Sequence, residues 1–322
     1  MKTGEIKKIG IALAAFSPEP IFFVEQLKSI QNQTFLNWIC VVTCDSPITN
    51  LLSAPNFKDI REDVRFVFIE NEKRLGHKKN FEKALNEVLK HSVDAIAFSD
   101  QDDVWYPEKL KVCAQRLADC PTMSLVHSDM HVLVGKENLS KTAWQIERRG
   151  VQNVKQHHLL VRNVVAGCSI LMDVNIGRKF SVVPEGAPFH DHWYALVSSS
   201  LGVVEPIHQP LYAYRQHENN VLAVKPFRGI FRLREKMNLP FLINKMKHGF
   251  MDSRHFAKSA EESGLRLTWI SKFLFLNSWD CGLSLMILGA QKLIGDQPLA
   301  RACWARSCGK LLTLGVKQKG SL

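Results

Sequence analysis

Four apolar or β-branched runs, Ile9–Ala15, Trp38–Thr43, Arg65–Ile69 and Asp94–Ser99, recur along the first hundred residues with helical patterns between them. Pro20–Gln31 sets Ile21, Phe23, Val24, Leu27 and Ile30 at helical spacing, and Asn80–His91 lines Phe81, Ala84, Leu85, Val88 and Leu89 along one face. Tyr106-Pro107 opens a third helix over Glu108–Leu117, with proline where a first turn tolerates it. Strands and helices alternating at this interval predict an α/β fold, a Rossmann-like, mostly parallel sheet with helices on both faces. Few other architectures accept the pattern.

The fourth run ends in Asp100-Gln101-Asp102-Asp103. Packed carboxylates repel one another and resist burial, so three of them at the end of a strand ask for a cation. The carboxyl edge of a parallel sheet is also where α/β proteins hold ligands. Mg²⁺ or Mn²⁺ carrying a phosphorylated substrate would satisfy both facts. A solvated acidic turn that caps the next helix through Asp102 or Asp103 fits the same residues.

Beyond Cys120-Pro121 the rhythm changes. Ser124–His127 and His131–Val134 read as short strands, Val164–Met172 as an apolar run holding Gly167, and Pro184–Pro188 as a loop. Trp193–Leu201 reads as a helix, and Val203–Val204 and Leu211–Tyr214 as two more strands. Charge then marks a boundary. Residues 1–224 hold 25 Lys and Arg against 25 Asp and Glu, residues 225–322 hold 17 against 6, and the net +11 therefore sits entirely in the tail. Two domains are expected: a catalytic one over 1–224, with halves of about 1–120 and 121–224, and a basic helical extension over 225–322. Phe273–Ala290 is its most apolar stretch, but Asn277 and Asp280 inside it argue against a membrane span. Amphipathic helices whose basic face meets an anionic membrane surface are the better reading.

Eight cysteines without any C-x-x-C pair read as reduced, mostly buried thiols of a cytoplasmic protein. Lys2, Lys7 and Lys8 ahead of Ile9–Phe16 imitate a short signal peptide, but Glu5 and the helix-entry run Ser17-Pro-Glu-Pro20 favour a first buried strand.

Several motifs, in order, resemble the family 2 glycosyltransferases, inverting enzymes with the GT-A fold. They are Phe23–Trp38, Asn71–Phe81, Phe98-Ser-Asp-Gln-Asp-Asp-Val-Trp105, His190-Asp-His-Trp193 and Tyr214-Arg-Gln-His217. The Asp-Gln-Asp-Asp-Val-Trp form is particularly similar to bacterial rhamnosyltransferase-like enzymes of surface-polysaccharide synthesis. The resemblance implies a nucleotide-sugar donor, dTDP- or UDP-linked, and a glycan or lipid-linked acceptor. It implies Mg²⁺ or Mn²⁺ held by Asp102, with Asp103 and His217 assisting, and Asp100 near the ribose. Asp191 would be the base that deprotonates the acceptor. Phe16 and Asp45 fall where the family contacts the nucleotide base, although Cys44 replaces the first of its usual paired acids; Phe16 also fits a plain core role. Gly76 and Asn80 match the turn and helix start that approach the nucleotide, or an ordinary loop glycine and cap. Arg215 would hold diphosphate oxygens. Gly167, His192 and Trp193 fall on the acceptor side, where Trp193 would stack on a sugar or fill the core. Asp129 also has a counterpart in the family, and it and Gly167 fit structural turns equally well.

Two other readings weigh less. A non-enzymatic nucleic-acid-binding protein would account for the basic tail but not for the neutral first 224 residues or the acidic turn, so no nucleic-acid partner is expected. A nucleotidyltransferase on a similar sheet would carry a glycine-rich loop after the first strand, and Ser17-Pro-Glu-Pro20 has none. The expected location is the cytoplasm, peripheral on the inner face of the cell membrane.

Overall fold

The computed structural model describes residues 3–135, 137–152, 154–217, 224, 239–276, 285, 287 and 297–317. It forms two compact units. The first comprises 1–143, 165–183 and 189–224; the second comprises 144–164, 184–188 and 225–322. The second unit thus takes in two segments that sequence order alone would leave with the first.

The first unit is built on a nine-stranded sheet. Its strands are β1 (Ile9–Ala15), β2 (Trp38–Cys44), β3 (Phe66–Glu70), β4 (Ala95–Ser99), β5 (Val104–Trp105), β6 (Leu125–Val134), β7 (Glu137–Asn138), β8 (Ile170–Asp173) and β9 (Val204–Arg215). The order is β3-β2-β1-β4-β8-β6-β9-β5, with β7 paired to β6. β3, β2, β1 and β4 are all parallel, and β1, β2 and β4 are almost wholly buried, which is why their sequences are continuous apolar runs. The chain enters this half-sheet at β1 and crosses to β2 through the Pro20–Gln31 helix, so β1 and β4 meet where the strand order reverses. The crevice at their carboxyl ends is the expected ligand position.

The other half is mixed. β8 runs antiparallel to both β4 and β6, while β9 lies parallel to β6. Two sequence expectations change here. The two short strands over 124–134 form one strand, β6, whose register against β9 shifts on either side of Asp129. Likewise Val203–Val204 and Leu211–Tyr214 merge into β9 through Pro206 and Pro210. Those prolines are tolerated because β9 pairs on its second side only at Tyr212 and Ala213, with β5.

That short pairing matters for the site. Val104 lies opposite Ala213 and Trp105 opposite Tyr212. Continuing the antiparallel register back by two residues sets Asp103 against Tyr214 and Asp102 against Arg215. A strand of two residues therefore brings the middle and the end of the first unit's chain together.

The second unit is helical where described. The Leu239–Glu262 and Gln297–Lys317 helices pack against each other. Thr268 caps the Trp269–Phe275 helix, its hydroxyl accepting from Ser271 N–H at 3.3 Å. Gln156 ties segment 144–164 to this region: its carbonyl accepts from Thr268 N–H at 2.7 Å and its amide donates to the Arg266 carbonyl at 3.2 Å. Much of the apolar stretch Phe273–Ala290 lies outside the described residues. Among those described, no helix is long and apolar enough to cross a membrane.

Candidate active site

β4 is buried end to end, and the chain leaves it through Asp100 to Asp103 before pairing again as β5. The three carboxylates part company at this turn. Asp102 faces the rim, where its Oδ2 lies 2.8 Å from His217 Nε2. Burial and the nearby Asp100 raise its pKa, while His217 and Arg215 oppose that rise. Asp103 points inward and is fully buried. Its Oδ1 accepts the Arg215 backbone N–H at 3.2 Å, and its Oδ2 has no hydrogen-bond partner. Burial, with Asp102 and Asp100 adding to it, pushes its pKa well above the usual carboxylate range. Asp100 meets Cys168, whose thiol donates to Asp100 Oδ2 at 3.0 Å. Burial first, then Asp100 and Asp103, hold that thiol protonated.

The turn satisfies the test for a hard cation. Donor atoms of Asp100, Asp103 and Cys168 lie within 4.8 Å of one another, and Asp103 Oδ2 is a buried acceptor without a donor. Carboxylate oxygens suit Mg²⁺ and Mn²⁺; a protonated sulfur does not, so Cys168 serves the cluster as a hydrogen-bond donor.

Arg215 is a brace within the protein. Its Nε donates to the Asp102 carbonyl at 2.8 Å, a terminal nitrogen pairs with Glu25, and the guanidinium lies 4.2 Å from the Phe22 ring centroid. At 5% exposure it fixes the acidic turn, with its guanidinium engaged by the chain's own groups. The same β5–β9 contact carries His217 to Asp102 and stacks its ring 5.9 Å from that of Phe22.

The nucleotide-side expectations divide similarly. Phe16 follows β1 directly, 43% exposed, with the Arg74 guanidinium 4.1 Å from its ring centroid; its backbone N–H donates to Gln101 Oε1 at 2.8 Å. That exposure rules out the core role. Asp45, by contrast, spends its carboxylate on the chain, accepting from Asn71 Nδ2 at 2.7 Å, Leu75 N–H at 3.0 Å and Gly76 N–H at 2.7 Å. Asn80 is buried, giving its amide hydrogens to the carbonyls of Ala15 at 3.0 Å and Thr43 at 3.2 Å. Both side chains are therefore engaged by the chain's own groups. Gly76 adopts φ +82°, where other residues are strained, and sets the start of the helix at His77, three residues ahead of the sequence expectation.

On the acceptor side, Asp191 occupies the first turn of the His190–Leu201 helix, half-buried, with Oδ1 accepting from His192 N–H at 2.6 Å. Trp193 is fully buried, edge-on to Phe180 with ring centroids 5.9 Å apart, and His192 is also buried. Neither is placed to receive a sugar, because the apolar side of that helix faces the core. Gly167 has a structural reason, one that its sequence context allowed as readily as an acceptor role. A Cβ there would meet His190 Nε2 at 3.0 Å and the Asp191 Cβ at 3.9 Å, so the glycine admits the helix start. His190 itself stacks on Phe81, ring centroids 3.9 Å apart, and lies 4.8 Å from Phe98. The turn Gly167–Ser169 thus faces the start of the Asp191 helix at one residue and hydrogen-bonds Asp100 through the next.

Sequence reasoning passed over Cys168, Glu25, Phe22, Arg74 and Gln101. Glu25 and Phe22 could have been suspected from their 3-residue spacing on the Pro20–Gln31 helix, but nothing local points to an arginine nearly 200 residues away.

A parallel half-sheet with an acidic turn at its switch point, closed by a mixed half, is the GT-A architecture of nucleotide-sugar transferases. Residues 22–181 match the glycosyl transferase family 2 model, and through that span the chain belongs to this family. An uncharacterized glycosyltransferase of Methanocaldococcus jannaschii is 26% identical over 141 residues, 43% of this chain and 47% of that protein. The chain thus matches about half the length of that relative. The dTDP-rhamnosyl transferase RfbG of Shigella flexneri is 26% identical over 211 residues, 61% of this chain and 68% of that protein. Among solved structures, S. aureus TarS 1–349 in complex with UDP-GlcNAc superposes with a TM-score of 0.52 at 12% identity, covering 97% of this chain and 92% of that one.

Proposed function

We propose that this chain transfers a sugar from a nucleoside-diphosphate donor to a glycan or lipid-linked acceptor with inversion at the anomeric carbon. The observation that carries the reading is the acidic turn at the switch point of the sheet, tied through Cys168 to the Gly167–Ser169 turn that faces the start of the Asp191 helix. One carboxylate set suits a diphosphate and its ion; the other suits a base.

Asp191 takes the proton of the acceptor hydroxyl as its oxygen attacks the anomeric carbon. The bond to the diphosphate oxygen breaks in the same displacement, releasing the nucleoside diphosphate. Asp102, Asp103 and His217 would hold Mg²⁺ or Mn²⁺, with Asp100 toward the ribose. Bound there, a divalent ion offsets the charge that grows on the leaving diphosphate. Arg215, Glu25 and Phe22 keep the turn in place, and Phe16 with Arg74 offers the stacking face for a base. The RfbG likeness favours a dTDP-linked donor, with UDP-linked sugars the next choice. We further read the basic tail as holding the protein at the inner face of the cell membrane, beside a lipid-linked acceptor in surface-polysaccharide synthesis.

The test is a donor screen across dTDP-, UDP- and GDP-sugars with Mg²⁺ or Mn²⁺ and mixed acceptors, reading released nucleotide. Asp191→Asn should lose transfer by about 10²-fold or more while donor binding persists. Asp102→Asn should abolish metal-dependent turnover. An Asp191→Asn protein that transfers at the native rate overturns the assignment of the base.

A further inference from the structure

Lys109 is a buried charge that this chemistry leaves unused. It opens the Lys109–Ala118 helix, is wholly buried, and its ammonium has no hydrogen-bond acceptor. Nζ sits 4.0 Å from the centroid of the Trp105 ring, two residues after Asp103. Burial lowers the lysine's pKa, while Cys113, Cys168 and Asp103 act in the other direction. Asp103 Oδ2 is the complementary orphan, equally buried and equally without a partner. An unpaired internal ammonium is costly, and an apolar side chain of the same length would fill the space more cheaply. Surface lysines escape that cost by reaching water with their long stems, and this one does not.

We propose that Lys109 is a fixed countercharge behind the acidic turn, a positioning residue that matches the site to the donor's diphosphate. This rests on reading the turn as a diphosphate–metal site. Formally, four carboxylates, Asp100, Asp102, Asp103 and Glu25, face two cations of the chain, Arg215 and Lys109. A divalent ion then brings the site to neutrality, which a diphosphate can join without repulsion. Without Lys109 the same ion leaves a net negative charge facing the diphosphate. In the low-dielectric interior such a charge is felt beyond contact distance. Lys109 touches no substrate; it acts through Asp103 and Cys168.

The experiment titrates the full-length wild type, Lys109→Met and Lys109→Arg with Mn²⁺ alone, and with dTDP or UDP in the presence of Mn²⁺, by calorimetry. Lys109→Met should weaken nucleotide binding by about tenfold, the effect of one unit charge at moderate range, without weakening Mn²⁺ binding. Lys109→Arg should restore nucleotide binding. A merely structural lysine gives a different pattern: a folded Lys109→Met that loses both affinities together overturns the inference, as does one whose nucleotide affinity is unchanged. Should Lys109→Met not fold, Lys109→Gln removes the same charge with a polar side chain and is read by the same criteria. A wild type that binds neither probe overturns the diphosphate-site reading itself, a result separate from any change at Lys109.

Discussion

At the scale of single residues, His190 shows how a site is held by groups that do none of its chemistry. Both ring nitrogens lack a hydrogen-bond partner, and burial, then the neighbouring His77, keep its pKa well below the ordinary 6.5. The folded chain therefore refuses a proton that the unfolded chain accepts near pH 6.5. Stability should fall as the pH drops below about 6.5, by up to about 1.4 kcal/mol per unit until the folded form also titrates. His190→Phe, which keeps an apolar ring against Phe81, should flatten that part of the profile. Denaturant midpoints at pH 7 and pH 5 measure it, and identical losses in both proteins would count against the assignment. Asp100 and Asp102 stand out in the sequence as carboxylates crowded at a strand end, whereas Asp191 and His217 are singled out only by the order of motifs that resemble the family. Asp45 and Asn80 were harder. A carboxylate or amide that grips backbone has the same composition and position as one that grips a ligand, and only geometry separates them.

Elements decide how those residues meet. The parallel strands and their helices could be read from periodicity, since apolar runs and helical faces are local properties. β9 could not, because its prolines are acceptable only on a strand whose second side is nearly unpaired, and pairing is not local. The Gly167–Ser169 turn is the element where fold and chemistry join. Gly167→Ala would press a methyl group into His190 Nε2 at 3.0 Å and displace the start of the helix that carries Asp191. We expect kcat to fall about tenfold or more, as small misplacements of a reacting group do, with nucleotide affinity preserved. Steady-state transfer rates and calorimetry with dTDP check both parts; a lost nucleotide affinity would move the damage to the acidic turn.

For the whole molecule, charge and architecture divide differently. All of the net +11 falls after residue 224, yet the second unit also includes 144–164 and 184–188. Composition could locate the basic tail but not those insertions, whose membership depends on contacts such as Gln156 with Thr268. If the tail holds the protein to a membrane, full-length chain should float with vesicles containing anionic lipid, at about 1 kcal/mol for each basic residue near the surface. It should release as salt rises toward 0.5 M and should ignore neutral vesicles. Equal flotation with both lipid types would remove the electrostatic basis.

The two-residue strand β5 has a consequence in time. Asp102 and Arg215 are joined across 113 residues, and His217 reaches Asp102 across 115. During synthesis the acidic turn emerges from the ribosome long before its brace. The parallel half-sheet can assemble first, since N-terminal regions fold as they appear. Until residue 217 has emerged, Asp102 lacks its histidine and the turn lacks Arg215. A growing chain therefore carries the parallel half-sheet before the acidic turn has its brace, which comes only near the end of the first unit.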